Sequence, residues 1–133
     1  MNSADYLDYQ NYEKFIFILR KDGIVHYKIK KDSMILLMDI MEHYRYFEKK
    51  YPGQQFLNIY EFEENAEIDD DARKWASDPD GNTFTIADAF VIQSMAQKLL
   101  GNFYLTFHKP IKPTRLFNRV DDAIEWLKTF SKK

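Results

Sequence analysis

The stretch TFTIADAFVIQSMAQKLLGNFYLTF, residues 83–107, decides the fold that the sequence predicts. Its first part, Phe84–Ile92, is almost continuously apolar, which is typical of a strand that helices bury on both faces. The segment Ser94–Gln97 then has the Ser-x-x-Gln pattern of a helix start. Gly101 tolerates the left-handed backbone of a helix end, and the apolar run Phe103–Phe107 follows it. We therefore predict a strand, a helix and a second strand.

Length and composition limit the class of protein. At 133 residues the chain has the length of one domain with its own core, and we predict a single domain over residues 1–133. A formal net charge of −2 argues against nucleic-acid binding. The sequence has no cysteine, which excludes a disulfide framework and a thiolate nucleophile. No apolar run approaches the ~20 residues of a spanning helix, so we expect a soluble, cytoplasmic protein without membrane insertion.

The remaining elements follow from turn and periodicity signals. Residues 1–13 are polar and rich in tyrosine, and we predict an N-terminal arm or an edge strand there. Asp22-Gly23 separates two apolar runs, which predicts a β-hairpin. Apolar residues recur at helical spacing over Ser33–Tyr51, with Asp32 or Ser33 as the predicted N-cap. Further elements are a strand over Phe56–Phe62, a short helix led by Asp69–Asp71 and a last helix capped by Asn118.

The predicted order is therefore ββαβαβαβα. Strands that alternate with helices indicate an α/β fold, in which helices flank a mixed, mainly parallel sheet. The opening hairpin supplies the antiparallel pair.

This order resembles the STAS domain, the SpoIIAA-like fold of anti-sigma-factor antagonists, over essentially the whole chain. The C-terminal block is similar to the ends of small stand-alone STAS-like proteins, which carry a phenylalanine, a short acidic stretch and an Ala-x-x-Trp-Leu helix. The matching residues are Phe117, Asp121, Asp122, Ala123, Trp126 and Leu127. The resemblance implies a regulatory module that acts by protein interaction.

Antagonists of this family carry a phosphorylated serine at the start of the helix after the third strand. Residues 62–71 of this chain contain no Ser, Thr or Tyr, so the phosphoswitch does not carry over to this position. Asp69 and Asp70 stand there instead. A permanently charged mimic is one interpretation, and a simple helix cap is the favoured one.

No residue pattern predicts catalysis, a cofactor or a metal site. A hydrolase needs a nucleophile, a base and an orienting group within reach of one another. We expect all three histidines to be solvated: His26 on the wet face of a strand, His43 on the polar side of a helix and His108 in a loop. We therefore predict that the protein is not an enzyme.

A basic group near the start of the last helix is the candidate site for a partner or an anion, because helix N-termini favour negative charge. Its members are His108, Lys109, Lys112, Arg115 and Arg119. A solvated loop is the alternative interpretation.

Two functions are compatible with these patterns. Aromatic residues make up 17% of the chain, which is more than a core of this size needs, so some must line a pocket or an interface. We expect a non-enzymatic STAS-like module that docks a protein partner or a second copy of itself. The alternative is a small binding protein with an apolar, lipid-like or anionic ligand in a cleft between the sheet and the Ser33–Tyr51 helix.

Overall fold

The computed structural model of the protein describes residues 5–78, 80–81 and 83–130. A six-stranded sheet lies at the centre of the fold. In chain order the elements are β1 (Tyr6–Asn11), β2 (Phe15–Arg20), β3 (Ile24–Ile29), β4 (Met34–Ile35), α1 (Leu37–Lys50), β5 (Phe56–Phe62), β6 (Glu67–Ile68), α2 (Asp70–Ser77), β7 (Thr85–Val91), α3 (Met95–Phe103), a π-helical turn (Tyr104–His108), β8 (Thr114–Phe117) and α4 (Val120–Lys128). The strand order is β1-β2-β3-β5-β7-β8, and β4 pairs with β6 in a separate small sheet.

The antiparallel part of the sheet is the predicted hairpin with one strand added at its edge. Gly23 has a φ of 87°, a left-handed conformation that glycine adopts without strain. Its N–H donates to the Arg20 carbonyl at 3.0 Å, and the Asp22 carboxylate accepts from Ile24 N at 3.1 Å. Strand β1 pairs with β2 at the edge, while residues 1–4 of the predicted arm lie outside the described residues.

The parallel part confirms the predicted fold class. Strands β3, β5, β7 and β8 run parallel, and β7 lies between β5 and β8. Helices α1, α2 and α3 pack on one face of the sheet, and α4 packs on the other face against β5, β7 and β8. Both faces of β7 are therefore covered, as its apolar sequence predicts.

The second strand predicted over Phe103–Phe107 is wrong, because the chain remains helical there. Helix α3 continues into the π-helical turn, and the left-handed residue that ends it is Lys109, followed by Pro110. Gly101 is required for packing instead: a Cβ atom at this position would lie 2.8 Å from Leu116 Cδ2 on β8. The fourth parallel strand is Thr114–Phe117, which follows the segment where the sequence predicted it.

The predicted cap of α3 is present. The Ser94 hydroxyl accepts from Gln97 N at 3.1 Å, and the Gln97 side-chain carbonyl accepts from Gln93 N at 2.9 Å. The first bond satisfies an N–H group that the first turn of a helix leaves without a partner, and the second joins the Gln97 side chain to the residue before the cap.

The predicted cap of α1 is wrong, because the segment before this helix forms strand β4. The Ser33 carbonyl accepts from Glu67 N at 2.9 Å, while Asp32 adopts a left-handed turn with a φ of 63°. The helix begins after Leu36, whose N–H donates to the Asp39 carboxylate at 2.8 Å. This is the bond that the third helical residue makes back to the cap residue in a capping box, while the Leu36 side chain itself has no acceptor.

The cap predicted for α4 is also wrong. Arg119 occupies the N-cap position and makes no side-chain cap hydrogen bond. The ladder of β8 extends to Phe117, whose carbonyl accepts from Ile92 N at 2.9 Å. Asn118 therefore connects the strand to the helix.

Candidate functional site

A cavity of about 130 Å³ lies between the sheet and helices α1, α2 and α3. Its walls are mainly aromatic and aliphatic. Its aromatic lining includes Phe15, Tyr27, Phe47, Tyr60, Phe90 and Tyr104. Tyr27 and Tyr60 stack with ring centroids 4.9 Å apart, and Phe90 meets Tyr60 edge to face at 5.5 Å. Such aromatic pairs hold the wall in a defined shape.

Two polar side chains from neighbouring strands lie on the sheet side of this cavity. Asn58 on β5 is the register partner of Asp88 on β7, and both are buried. Asn58 Nδ2 donates to the Asp88 carboxylate at 3.0 Å and to Thr85 Oγ1 at 3.2 Å. Among the described residues, Asn58 Oδ1 has no hydrogen-bond partner. The pair is therefore only partly satisfied by the protein.

The carboxyl group of Asp88 is buried without a cation. Its residue is 4% exposed, and no basic nitrogen of residues 5–78, 80–81 and 83–130 lies within 4.0 Å of it. Burial raises the pKa of Asp88 to about 7, against the smaller lowering effects of the Asn58 hydrogen bond and the Lys112 charge. Near neutral pH this group therefore exists in both protonation states.

Two further polar atoms of the cavity lining have no hydrogen-bond partner within the described part of the chain. One is the hydroxyl of Tyr104, which lies on the π-helical turn and is 2% exposed. The other is Nε of Arg73 on α2. The two terminal nitrogens of that guanidinium each have one partner: Nη1 donates to the Ile68 carbonyl, and Nη2 lies 3.4 Å from the Asp70 carboxylate. Buried polar groups without partners are rare in folded proteins, and a bound molecule is one way to satisfy them.

His43 is buried in the same cavity wall, which corrects its predicted place on the polar side of a helix. Its Nε2 lies 3.0 Å from the Tyr27 hydroxyl and its Nδ1 lies 3.3 Å from the Tyr12 hydroxyl. Burial lowers the pKa of His43 to about 4, so the ring is neutral at physiological pH. Helical periodicity is compatible with this orientation, because His43 lies three residues after Ile40 and four before Phe47. The prediction was wrong because it treated histidine as a residue of the polar face.

The other two histidines are also not solvated as predicted. His26 is 8% exposed, and its Nε2 lies 2.8 Å from the Glu61 carboxylate on the face of the sheet opposite the cavity. The alternation of apolar and polar residues in β3 puts Tyr27 on the core face and His26 on the opposite face. Because β3 is an interior strand, that opposite face is also largely covered. His108 ends the π-helical turn, where its Nε2 lies 3.2 Å from the Asp70 carboxylate.

The structure spreads the predicted basic group along β8 and its flanks. His108 lies before this strand and contacts Asp70, while Arg119 lies after it and pairs with Asp121 at 3.5 Å. Arg115 lies opposite Ala89, on the α4 face of the sheet, and covers the Phe117 ring at 5.1 Å. Lys109 is exposed and Lys112 is half-buried.

At the predicted phosphoswitch position, Asp69 is the N-cap of α2 and accepts from Ala72 N at 2.9 Å. Asp70 is half-exposed and lies near Arg73, Lys74 and His108. A cap and an ion-pair network account for both residues.

Asp88, Asn58, Tyr104 and Arg73 are the cavity residues that the sequence prediction missed. For Asp88 a signal exists: it is the one charged residue in the buried apolar run Phe84–Ile92. A carboxylate at such a position is rarely buried without a reason.

The described residues contain neither a candidate membrane-spanning helix nor a candidate metal site. None of the helices there is long and apolar enough to cross a membrane. Among the same residues, no group of three or more His, Cys, Asp or Glu side chains is arranged to hold a metal ion.

Comparison with known proteins places the chain in a family. It is similar in structure to an uncharacterized protein of the DUF3478 family, with a SpoIIAA-like fold, from Shewanella loihica PV-4. The TM-score is 0.54 at 12% sequence identity, over 90% of each chain, which confirms the predicted SpoIIAA-like fold. No curated protein matches the sequence. A family model described as a domain of unknown function, DUF7793, matches residues 17–131, and the chain belongs to this family.

Proposed function

We propose that this protein is a non-enzymatic binding module with a SpoIIAA-like fold, and that its cavity binds a small, largely apolar molecule. The observation that supports the proposal is the cavity with aromatic walls. Three polar atoms of its lining, Asn58 Oδ1, Tyr104 OH and Arg73 Nε, have no hydrogen-bond partner among the described residues. Ligand sites are mostly apolar and contain a few polar groups that fix the ligand's orientation. The cavity has both properties.

The volume of the cavity limits the size of the ligand. An engineered protein cavity of about 150 Å³ binds benzene, and the cavity here has about 130 Å³. A single ring or a short branched chain therefore fits without rearrangement. A long acyl chain would exceed this volume.

The catalytic alternative has less support from the geometry. Nucleophilic catalysis needs a nucleophile that is hydrogen-bonded to a base. The one imidazole in the cavity wall, His43, is engaged at both ring nitrogens by tyrosine hydroxyls. Its low pKa also makes it a weak base at neutral pH. Binding without turnover is the simpler function for these residues.

Filling the cavity tests the proposal. Ile40 lies on α1 and lines the cavity, so Ile40→Phe places a ring in the space that a ligand would occupy. With 3-methylbutanol as the probe, we expect the dissociation constant to rise at least about tenfold, which equals about 1.4 kcal/mol. Titration followed by NMR chemical shifts measures it.

Met38→Phe is the matched control, because Met38 lies on the same helix and is 71% exposed. Its affinity for the alcohol should equal that of the wild type. An Ile40→Phe protein that binds the alcohol as well as the wild type does would contradict the cavity as the site.

A second candidate function, protein docking, is favoured by an exposed apolar stripe. Met95, Leu99, Phe103 and Phe107 follow one another at four-residue spacing along α3 and the π-helical turn, and all four are exposed. The rings of Phe103 and Phe107 lie 4.5 Å apart. Contiguous apolar surface of this kind is typical of interaction sites.

The charges beside the stripe indicate the kind of partner. Lys98 immediately precedes Leu99, Lys109 follows Phe107 by two residues, and both lysines are exposed. We propose that the partner is a protein with an acidic surface beside an apolar groove, because opposite charge selects such a partner. Of the predicted basic group, Lys109 belongs to this proposed surface, whereas Arg115 lies on the opposite face of the sheet.

Two double variants test the docking surface. We expect Leu99→Asp with Phe107→Asp to abolish capture of an acidic partner from the native cell, because two charges would be buried at the interface. Lys98→Ala with Lys109→Ala should weaken capture, as should added salt. Quantitative mass spectrometry of the captured proteins measures both effects.

Met38→Asp, an exposed apolar position on α1, is the control and should capture the same partner. Capture that survives both double variants would contradict this surface. A dimer that the stripe variant dissociates would identify a second copy as the occupant instead.

A further inference from the structure

The carboxyl group of Asp88 has no cation partner among the described residues, and this limits the chemical class of ligand that the cavity can bind. Buried carboxylates in folded proteins are normally paired with a cation or saturated with hydrogen bonds. Asp88 receives one side-chain hydrogen bond, from Asn58 Nδ2, and no cation contacts it among the described residues. A cationic group on a ligand in the cavity would supply the positive charge that Asp88 lacks.

The groups around Asp88 offer more acceptors than donors. Asn58 donates to its carboxylate through Nδ2, and Oδ1 of the same amide has no donor in the described chain. The hydroxyl of Tyr104 is also unpartnered there, and its pKa is raised by burial and, to a smaller extent, by the charge of Asp88. Carboxylate, amide oxygen and hydroxyl oxygen make three acceptors, and a primary ammonium group has three N–H donors.

The surroundings of these acceptors also favour a cation. Tyr27 and Tyr60 stack beside them, and Phe90 lies with its ring centroid 5.6 Å from that of Tyr104. Aromatic faces attract ammonium groups, most strongly where water is excluded. The same rings provide apolar contact for the rest of a small amine.

The other charged or titratable groups near Asp88 in the described chain do not act as its cation partner. Lys112, which precedes β8, lowers the pKa of Asp88 through its charge but makes no ion pair with it. Tyr27, Tyr60 and Tyr104 stay protonated, because burial raises their pKa values further above neutrality. On α1, His43 is neutral at physiological pH.

An anionic ligand fits less well. Arg73 is the cation of the cavity lining, but its guanidinium already contacts Asp70 and the Ile68 carbonyl, and the Asp70 carboxylate offsets part of its charge. An anion on the sheet side would meet the Asp88 carboxylate, and like charges in a buried site repel strongly.

We propose that the ligand of this cavity is a small apolar amine whose protonated primary amino group binds Asp88, Asn58 and Tyr104. The proposal rests on the proposed function, since it specifies what the cavity binds. It departs from the expectation of a lipid-like or anionic ligand.

Three probes of equal carbon skeleton test it: 3-methylbutylamine, 3-methylbutanol and 3-methylbutanoate. In calorimetric titrations at pH 8, we expect the amine to bind at least about tenfold more tightly than the alcohol, as a charge-assisted contact allows. The carboxylate should bind most weakly. Amine affinity should rise about tenfold from pH 6 to pH 8, because the ionised fraction of Asp88 rises by that factor when its pKa is about 7.

Asp88→Asn should remove both the preference for the amine over the alcohol and the pH dependence of amine binding. The matched control is Glu125→Gln, which removes an exposed carboxylate from α4 and should keep both. An amine that binds no more tightly than the alcohol to the wild type at pH 8 would overturn the inference and leave the proposed function intact. Failure of all three probes to bind would overturn both.

Discussion

Asp88→Asn is expected to raise the free energy of unfolding of the ligand-free protein by up to about 4 kcal/mol at pH 8 and to change it little at pH 4. The pKa of this carboxyl group is raised from 3.8 to about 7 by burial. Between these two values the unfolded chain releases a proton that the folded chain retains, so the wild type loses stability as the pH rises through this window. Asparagine has no proton to lose and keeps the neutral form at every pH.

Urea unfolding of both proteins at pH 4, 6 and 8 measures this difference. His43 acts in the opposite direction, because burial lowers its pKa from 6.5 to about 4 and its contribution to stability is lost as the pH falls through that range. This contribution is present in both proteins and cancels in their difference. Glu125→Gln, at an exposed position, should stay within about 0.5 kcal/mol of the wild type throughout. Parallel pH profiles of the wild type and Asp88→Asn would show that Asp88 is not buried as described.

The predicted fold was correct wherever a local pattern had one structural meaning. The run Phe84–Ile92 has too few polar residues for a half-exposed strand, and β7 is indeed covered on both faces. Asp22-Gly23 supplies the backbone freedom that a tight hairpin requires, and Gly23 uses it. These signals concern only a few neighbouring residues, so the sequence alone contains them.

The error at Phe103–Phe107 has a specific cause. Aromatic residues are common in strands, and Gly101 preceded them as a helix end would. In the structure Tyr104 faces the core while Phe103 and Phe107 lie on the exposed stripe, which is helical periodicity. The glycine serves close packing against Leu116, a residue distant in sequence. No local pattern distinguishes this use of glycine from a helix cap.

The cavity was predicted only as a cleft between the sheet and one helix. Its lining comes from four strands of the main sheet, from helices α1 to α3 and from the π-helical turn, so its volume depends on how distant segments pack. Periodicity shows which face of a strand is buried, but it does not show where packing leaves a space. The partners of Asn58 and Asp88 likewise follow from strand register, which the predicted order of helices and strands along the chain does not specify.

Phe47→Ala is expected to lower the free energy of unfolding by about 3–5 kcal/mol, the usual loss when a buried phenylalanine is truncated. Phe47 is 4% exposed on α1 and packs between Phe17 at 5.4 Å, Phe56 at 5.2 Å and Phe84 at 5.1 Å, measured between ring centroids. Because rigid aromatic rings surround it, the site collapses little, and the vacated volume joins the cavity that Phe47 already lines.

Urea unfolding at pH 6 measures the loss of stability caused by Phe47→Ala, with Glu48→Ala at the next, exposed position of the same helix as the control, expected within about 0.5 kcal/mol. Benzene should restore part of the stability of the Phe47→Ala protein, because a ligand that binds only the folded state stabilises it in proportion to the logarithm of its concentration. A loss below about 1 kcal/mol would mean that the core around α1 is loosely packed. In that case the cavity would not hold a defined shape, and size selection of the ligand would be lost with it.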